Sequence, residues 1–232
     1  MKKTMLLLIG TAALVSLPHT ALAEGATGLF ISLKLNDVKA YEQWHSASHA
    51  TFQAHRCEPF RSGKLLGGKG TFKWGNSNQF ALIKCQSPAL EDLVSKGLIS
   101  DLSAITDELS LTEGDLNILS NKAPSEQSEY LIKVSYFNNL NPKARLKSLA
   151  EINARAKKIK NGWVDDAILQ STASVGVIQS DNLAFLYYPK ASQGNSFREN
   201  NLELMTEIGS FNKIHVERVT YLAAQVKNGG IK

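Results

Sequence analysis

Cysteine is the scarcest informative residue in this chain: 232 residues contain only Cys57 and Cys85. Two thiols this far apart exclude a C-x-x-C redox pair and a cysteine-rich zinc site. No G-x-S-x-G is present, and no Ser/His/Asp set stands out, so a nucleophile elbow is excluded. Phosphate-cradling loops are missing too. Gly67-Gly68-Lys69-Gly70 lacks the spacing and the Ser/Thr of a P-loop and reads as a hairpin turn. Charge of either sign is in short excess, with 26 basic and 21 acidic residues. That balance argues against a nucleic-acid partner. Beyond residue 23 no apolar run approaches the roughly 20 residues of a membrane-spanning helix.

The one long apolar run is at the start. Lys2 and Lys3 precede Met5 to Leu17, and Ala21-Leu22-Ala23 supplies a small-x-small cleavage site. Residues 1–23 therefore read as a cleavable secretion leader, which places the mature chain in the periplasm or outside the cell. Removing 23 of the 232 residues leaves 209 and takes the formal charge from +5 to +3. The remainder is long enough for two domains of about 100 residues.

What remains says the same thing twice. Leu29 to Leu35 is a strand-like run, and Tyr130 to Phe137 is its counterpart about 102 residues on. Each precedes a helix start, with Asn36 or Asp37 as the first cap and Asn141 before Pro142 as the second. The 3.6-residue period predicts a helix over Val38 to His55 with Val38, Tyr41, His45, Ser48 and Phe52 on its stripe. A second runs over Pro142 to Lys160 with Leu146, Leu149, Ile152, Ala156 and Ile159 inward and its lysines and arginines in solvent.

Hairpins follow: Phe60 to Leu66 with Gln79 to Lys84, and Ala167 to Gln170 with Leu183 to Tyr188. Each leads to a further helix, Ala89 to about Leu109 and Ser196 to about Asn212. Closing strands follow at Asp115 to Leu119 and Val216 to Val226. Each half is thus strand–helix–strand–strand–helix–strand, the ferredoxin-like unit. The fold class is α+β: two tandem ferredoxin-like (βαββαβ) modules packed sheet to sheet as an intramolecular α/β barrel. The modules occupy residues 24–122 and 129–232, joined by a polar linker at 123–128.

The cysteines test the register. Antiparallel partners have a constant sum of residue numbers, and pairing Cys57 with Cys85 centres the hairpin on Thr71. Turn chemistry puts the turn in the same stretch, so an oxidised Cys57–Cys85 staple across neighbouring strands is expected.

Candidate chemistry lies in histidines and aromatics. His45 and His49 stand at i, i+4 and can face one metal ion, although H-S-A-S-H lacks the zinc-protease glutamate. The alternative is a hydrogen-bonded His45 on the buried stripe with His49 at its edge. His55 falls at a helix C-terminus, where its charge suits the dipole. His215, at the last helix–strand junction, is either an axial haem ligand or a helix-end residue. Trp44 borders the first stripe, Trp74 lies in the hairpin turn, Trp163 follows the second long helix, and Tyr187 and Tyr188 end a central strand. Aromatics with polar tips suit a mainly apolar pocket. Tyr41, Trp44, His45, His49, Tyr187 and His215 are therefore the candidate ligand-binding residues.

Tyr41, Trp44, Phe52 and His55, followed by Gly63 and Leu65-Leu66-Gly67-Gly68, give Y-x-x-W, F-x-x-H and a glycine-leucine hairpin strand. This pattern resembles the dimeric α/β-barrel superfamily, and its antibiotic-monooxygenase-like domains in particular. The second half matches by element order, with few identities. The resemblance implies a pocket between helices and sheet, or between sheets. It covers cofactor-free monooxygenases, haem-degrading enzymes and fused-repeat haem proteins such as chlorite dismutase, the last sharing the tandem layout. The haem-degrading asparagine–tryptophan–histidine set has no counterpart here. The expected function is an exported protein binding a small hydrophobic or aromatic molecule, as a monomeric pseudo-dimer or a homodimer. The alternatives are a monooxygenase-like or haem-dependent oxidative enzyme and a non-catalytic assembly factor.

Overall fold

The structure is a computed structural model that describes residues 26–71, 76–159, 162–176 and 179–226. The proposed leader, Trp74 and Lys160 lie outside the described residues. The first half contains β1 (Ala26–Leu35), α1 (Val38–Ala54), β2 (Glu58–Gly70), β3 (Gln79–Cys85), α2 (Leu90–Ser95), α3 (Leu98–Ala104) and β4 (Thr106–Ile118). The second contains β5 (Glu129–Phe137), α4 (Pro142–Ala156), β6 (Val164–Gly176), β7 (Asn182–Tyr188), α5 (Ala191–Asn200), α6 (Leu202–His215) and β8 (Val216–Val226). All eight strands form one closed barrel in the order β1-β3-β2-β8-β5-β7-β6-β4. Each half thus contributes four adjacent strands, and the sheets join edge to edge through β2·β8 and β4·β6. No helix among the described residues is long and apolar enough to cross a membrane.

Closure gives the central strands of each half two buried faces, while β2 and β6 keep much of their outer faces in solvent. In β1, Phe30 points into the barrel, while Leu29, Ile31 and Leu33 point outward into a layer beneath α1, α2 and α3. A second outer layer lies beneath α4, α5 and α6, around Ile152, Phe197, Leu204 and Phe211. The helix starts are those the sequence predicts. Asp37 Oδ1 accepts from Ala40 N–H and Asn141 Oδ1 from Ala144 N–H, both at 3.0 Å.

Two helical expectations need correction. The single helix expected over Ala89 to Leu109 is α2 and α3, separated by Gly97 at φ +75°, and β4 begins at Thr106. Only glycine adopts that backbone without strain. The start of α2 is held from the sheet, where Glu113 Oε1 accepts Ala89 N–H at 2.6 Å and Leu90 N–H at 2.9 Å. The helix expected over Ser196 to Asn212 is likewise α5 and α6, meeting at Asn201. The turn expected at Gly67-Gly68-Lys69-Gly70 is instead the far end of β2, paired with β8 from Gly67↔Ala223 to Gly70↔Thr220. Glycine lets the backbones meet there: a Cβ at Gly70 would lie 2.1 Å from the Val219 carbonyl oxygen.

The cysteine argument holds. Cys57 and Cys85 form a disulfide with Cα atoms 4.0 Å apart, slightly closer than the roughly 4.4–6.8 Å usual for such pairs. Glu58↔Lys84 and Pro59↔Ile83 carry the expected register beside it. A bulge between Pro59 and Arg61 shifts the ladder by one residue, but on the turn side of the disulfide.

One polar contact crosses between halves inside the barrel mouth. Arg61 Nε and Nη2 donate to Asp166 Oδ2 and Oδ1 at 2.8 and 2.7 Å. Tyr130 O–H donates to Asp166 Oδ2 at 2.7 Å. The Asp166 side chain is fully buried and that of Arg61 nearly so. Asp166 is the extra residue of a bulge in β6, between Asp165↔Leu186 and Ala167↔Phe185.

Two stability predictions follow from these contacts. Cys57→Ser with Cys85→Ser, or reduction, should lower the unfolding free energy by about 3 kcal/mol, read from denaturant curves with and without reductant. Asp166→Leu or Arg61→Met alone should cost about 3–5 kcal/mol by stranding a buried charge, while the double substitution should recover most of the loss. Additive costs in that cycle would rule out direct coupling.

Candidate functional site

The space between the sheets is the barrel interior, and side chains fill it. Phe80 and Tyr130 stack with centroids 6.1 Å apart, Tyr130 and Tyr187 at 6.4 Å, and Phe30 packs on Phe185 at 5.8 Å. A shallow cleft lies outside the barrel, between helix and sheet, with about 10 Å³ of free space, lined by Ile31, Leu33, Leu35, Tyr41, Gln79, Phe80 and Ala81. Its floor is the outward face of β1 and β3, and α1 supplies one wall.

The sequence places Tyr41 there by simple periodicity. Asp37 fixes the start of α1, and Tyr41 and Trp44 fall inward one turn later. Trp44 Nε1 donates to the Leu98 carbonyl at 2.7 Å, which ties α1 to α3, and its ring lies 5.6 Å from that of Tyr41. Burial pushes the Tyr41 phenol up to about 12. It therefore stays protonated through the physiological range and acts as a hydrogen-bond donor rather than a phenolate base. Gln79 is the other polar group of the lining.

Only part of the expected residue set converges on this place. Tyr41 and Trp44 are buried there. His45 is not on the buried stripe as expected: both His45 and His49 are exposed. The stripe runs through Tyr41, Trp44, Ser48, Thr51 and Phe52, rotated because the large indole of Trp44 takes the inward position. His45 borders the site, with its ring 6.4 Å from Tyr41 and 6.3 Å from Phe52. No group of three His, Cys, Asp or Glu among the described residues is arranged to hold a metal ion.

Tyr187 lies in the barrel interior, where its O–H donates to the Lys122 carbonyl at 3.3 Å. His215 ends α6 in the second outer layer, 6% exposed, with its ring 5.2 Å from Phe211. No histidine lines the cleft. Other candidates have structural partners. His55 caps α1, and its ring meets Ser87 Oγ at 2.8 Å and Asp92 Oδ2 at 3.2 Å. Trp163 Nε1 donates to Asp165 Oδ1 at 2.9 Å, and Tyr188 packs on Phe197. Gln79, missed from the sequence, stands at a strand start after Asn78-rich turn chemistry, so it read as part of the hairpin approach.

By sequence the chain matches no protein-family model and no curated protein. By structure it is similar to an anthrone oxidase-like protein at TM-score 0.52 and 12% identity, covering 90% of this chain and 95% of that one. A protein from Fusobacterium nucleatum described as a monooxygenase matches at 0.53 and 10%, covering 89% and 94%. A mutant chlorite dismutase from Candidatus Nitrospira defluvii matches at 0.51 and 11%, covering 88% and 92%. These likenesses show the fold alone, a closed eight-stranded barrel with helices packed outside it. Here one chain closes the barrel by itself.

The state of Tyr41 gives a prediction with a definite sign. Above pH 10 the unfolded chain loses a phenol proton that the folded protein keeps until about 12. The unfolded state then binds fewer protons, so Tyr41 should cost stability as pH rises through that window, by roughly 2 kcal/mol. Tyr41→Phe should remove this part of the alkaline decline in pH-dependent denaturation. An unchanged decline would place the phenol in water.

Proposed function

We propose that this is an exported small-molecule-binding protein that holds a hydrophobic or aromatic ligand in the cleft beneath α1. The observation that carries the reading is the lining: aliphatic side chains of β1 and the small Ala81 form a floor, and Tyr41 and Gln79 supply its polar tips. Apolar walls with few polar groups are what such ligands require. Trp44 backs Tyr41 and fixes its ring, and His45 stands at the edge. His49 lies one turn further along the same exposed face. Residues 1–23 are the export signal in this reading, and a disulfide between Cys57 and Cys85 suits an oxidising compartment. Residues 24–122 and 129–232 are the two modules, with 123–128 as linker.

A second reading puts oxidation of an aromatic substrate in the same cleft. It is favoured by structural neighbours named as an anthrone oxidase-like protein and a monooxygenase. Tyr41 would then orient the substrate as a neutral donor. Oxygen consumption with an anthrone-type substrate separates this reading from simple binding.

Titrating the protein with 2-naphthol and following the probe's fluorescence tests the shared claim. Binding should saturate at one equivalent, and Ala81→Phe, which fills the floor, should weaken it at least about tenfold, or 1.4 kcal/mol. Equal binding by a folded Ala81→Phe protein would move the ligand elsewhere.

A further inference from the structure

The second half has its own version of the cleft floor, with different chemistry. In the first half Ile31 pairs with Ala81 on one side and Leu111 on the other. In the second half Lys133 pairs with Ala184 on one side and Tyr221 on the other. The strand orders of the halves match, so Lys133 stands where Ile31 stands, and Tyr221 where Leu111 stands. Ile31 and Leu111 are buried apolar residues in a packed layer. A packed layer alone would be served by the same choice in the second half.

The amine of Lys133 is held rather than neutralised. Nζ donates to Asn212 Oδ1 at 2.9 Å, and Asn212 Nδ2 donates to the Tyr221 hydroxyl at 2.8 Å. Asn212 is thereby oriented with its carbonyl toward the lysine. The rings of Phe211 and Tyr221 flank Nζ, with centroids 5.3 and 5.9 Å away. Among the described residues Lys133 forms no ion pair with any carboxylate. An ammonium has three donors, and only one oxygen acceptor is provided. Burial accordingly lowers the Lys133 pKa to about 8, which makes neutral amine available near neutral pH. Lys133 is partly exposed as a residue, between the fully buried Ile132 and Val134.

We propose that Lys133 is a carbonyl-capturing amine, forming a reversible imine with small apolar or aromatic aldehydes in the outer layer of the second half. The neutral nitrogen adds its electron pair to the carbonyl carbon, and the carbonyl oxygen takes up the amine proton to give a carbinolamine. Loss of that oxygen as water leaves R–CH=N–Lys133, with no change of oxidation state. Asn212 Oδ1 accepts the N–H of the protonated imine, and the faces of Phe211 and Tyr221 receive an aromatic substituent. This site is independent of the cleft beneath α1, since no residue is shared.

The test is reductive trapping. The folded full chain is incubated at pH 7 with benzaldehyde and sodium cyanoborohydride, and N-benzyl-lysine is mapped by peptide mass spectrometry. A lysine with a pKa near 8 holds far more neutral amine at pH 7 than an ordinary one near 10.4, so Lys133 should be labelled at least about tenfold faster than exposed lysines. Unfolding in urea should abolish that preference. Asn212→Leu, which removes the acceptor but leaves the amine, should slow trapping at Lys133 and leave other lysines and 2-naphthol binding unchanged. Labelling spread over surface lysines with Lys133 no faster than the rest would overturn the proposal, as would a preference that persists in urea.

Discussion

Barrel closure within a single chain is the constraint from which the rest of the structure follows. The edge strands β2 and β4 of one half find β8 and β6 of the other, so among the described residues every strand has a neighbour on both sides. The central strands then bury both faces, one against the barrel interior and one against helices. Phe30, Phe80, Tyr130, Phe185 and Tyr187 pack in the interior. The Arg61–Asp166 pair with Tyr130 joins β2, β6 and β5 at the mouth, across the two halves. Buried charge of this kind adds little stability over an apolar packing, but it disfavours any arrangement that separates the partners. It fixes how the halves meet. The sites proposed above therefore lie in the outer layers, between helices and sheet.

The parts of this architecture that local physics dictates were legible in the sequence. The duplicated strands at Leu29 and Tyr130, the caps Asp37 and Asn141, and the cysteine register all rest on interactions within a few residues or within one hairpin. What escaped depends on distant partners. The run Gly67-Gly68-Lys69-Gly70 has turn composition, yet it extends a strand because β8, some 150 residues later, lies beside it. The helix break at Gly97 is visible as a glycine only after the sheet demands that β4 begin at Thr106. Asp166 and Arg61 look like ordinary surface charges beside Asp165 and Phe60; bulges turn them inward.

The candidate site shows the same division. Helical spacing placed Tyr41 on the inward face of α1 and Trp44 only at its border, and the structure buries both. His45 went astray because the stripe could rotate by one position. The hydrogen bond from the Trp44 indole to Leu98 on α3 decides the rotation, and that contact is tertiary. Tyr187 and His215 were grouped with these residues by type alone. The barrel puts one inside and the other beneath α6, against Phe211. Residue chemistry without placement cannot assemble a site.

Duplication explains why one chain would carry two unlike outer layers. A symmetric dimer of a single module must keep both copies of a site identical, because each substitution appears twice. Fusion removes that coupling. The caps align Tyr41 with Arg145 and Trp44 with Ser148, so the aromatic wall of the first layer has no counterpart in the second. Arg145 instead places its guanidinium 4.2 Å from the centre of the Phe137 ring. Beneath, Ile31 and Leu111 give way to Lys133 and Tyr221 with Asn212 between them. Each polar group in that cluster has its partner, so the layer keeps its packing while one amine stays short of acceptors. The barrel tolerates this because its stability rests on ladders and interior packing that both halves retain. The outer layers can then diverge in chemistry without altering the fold.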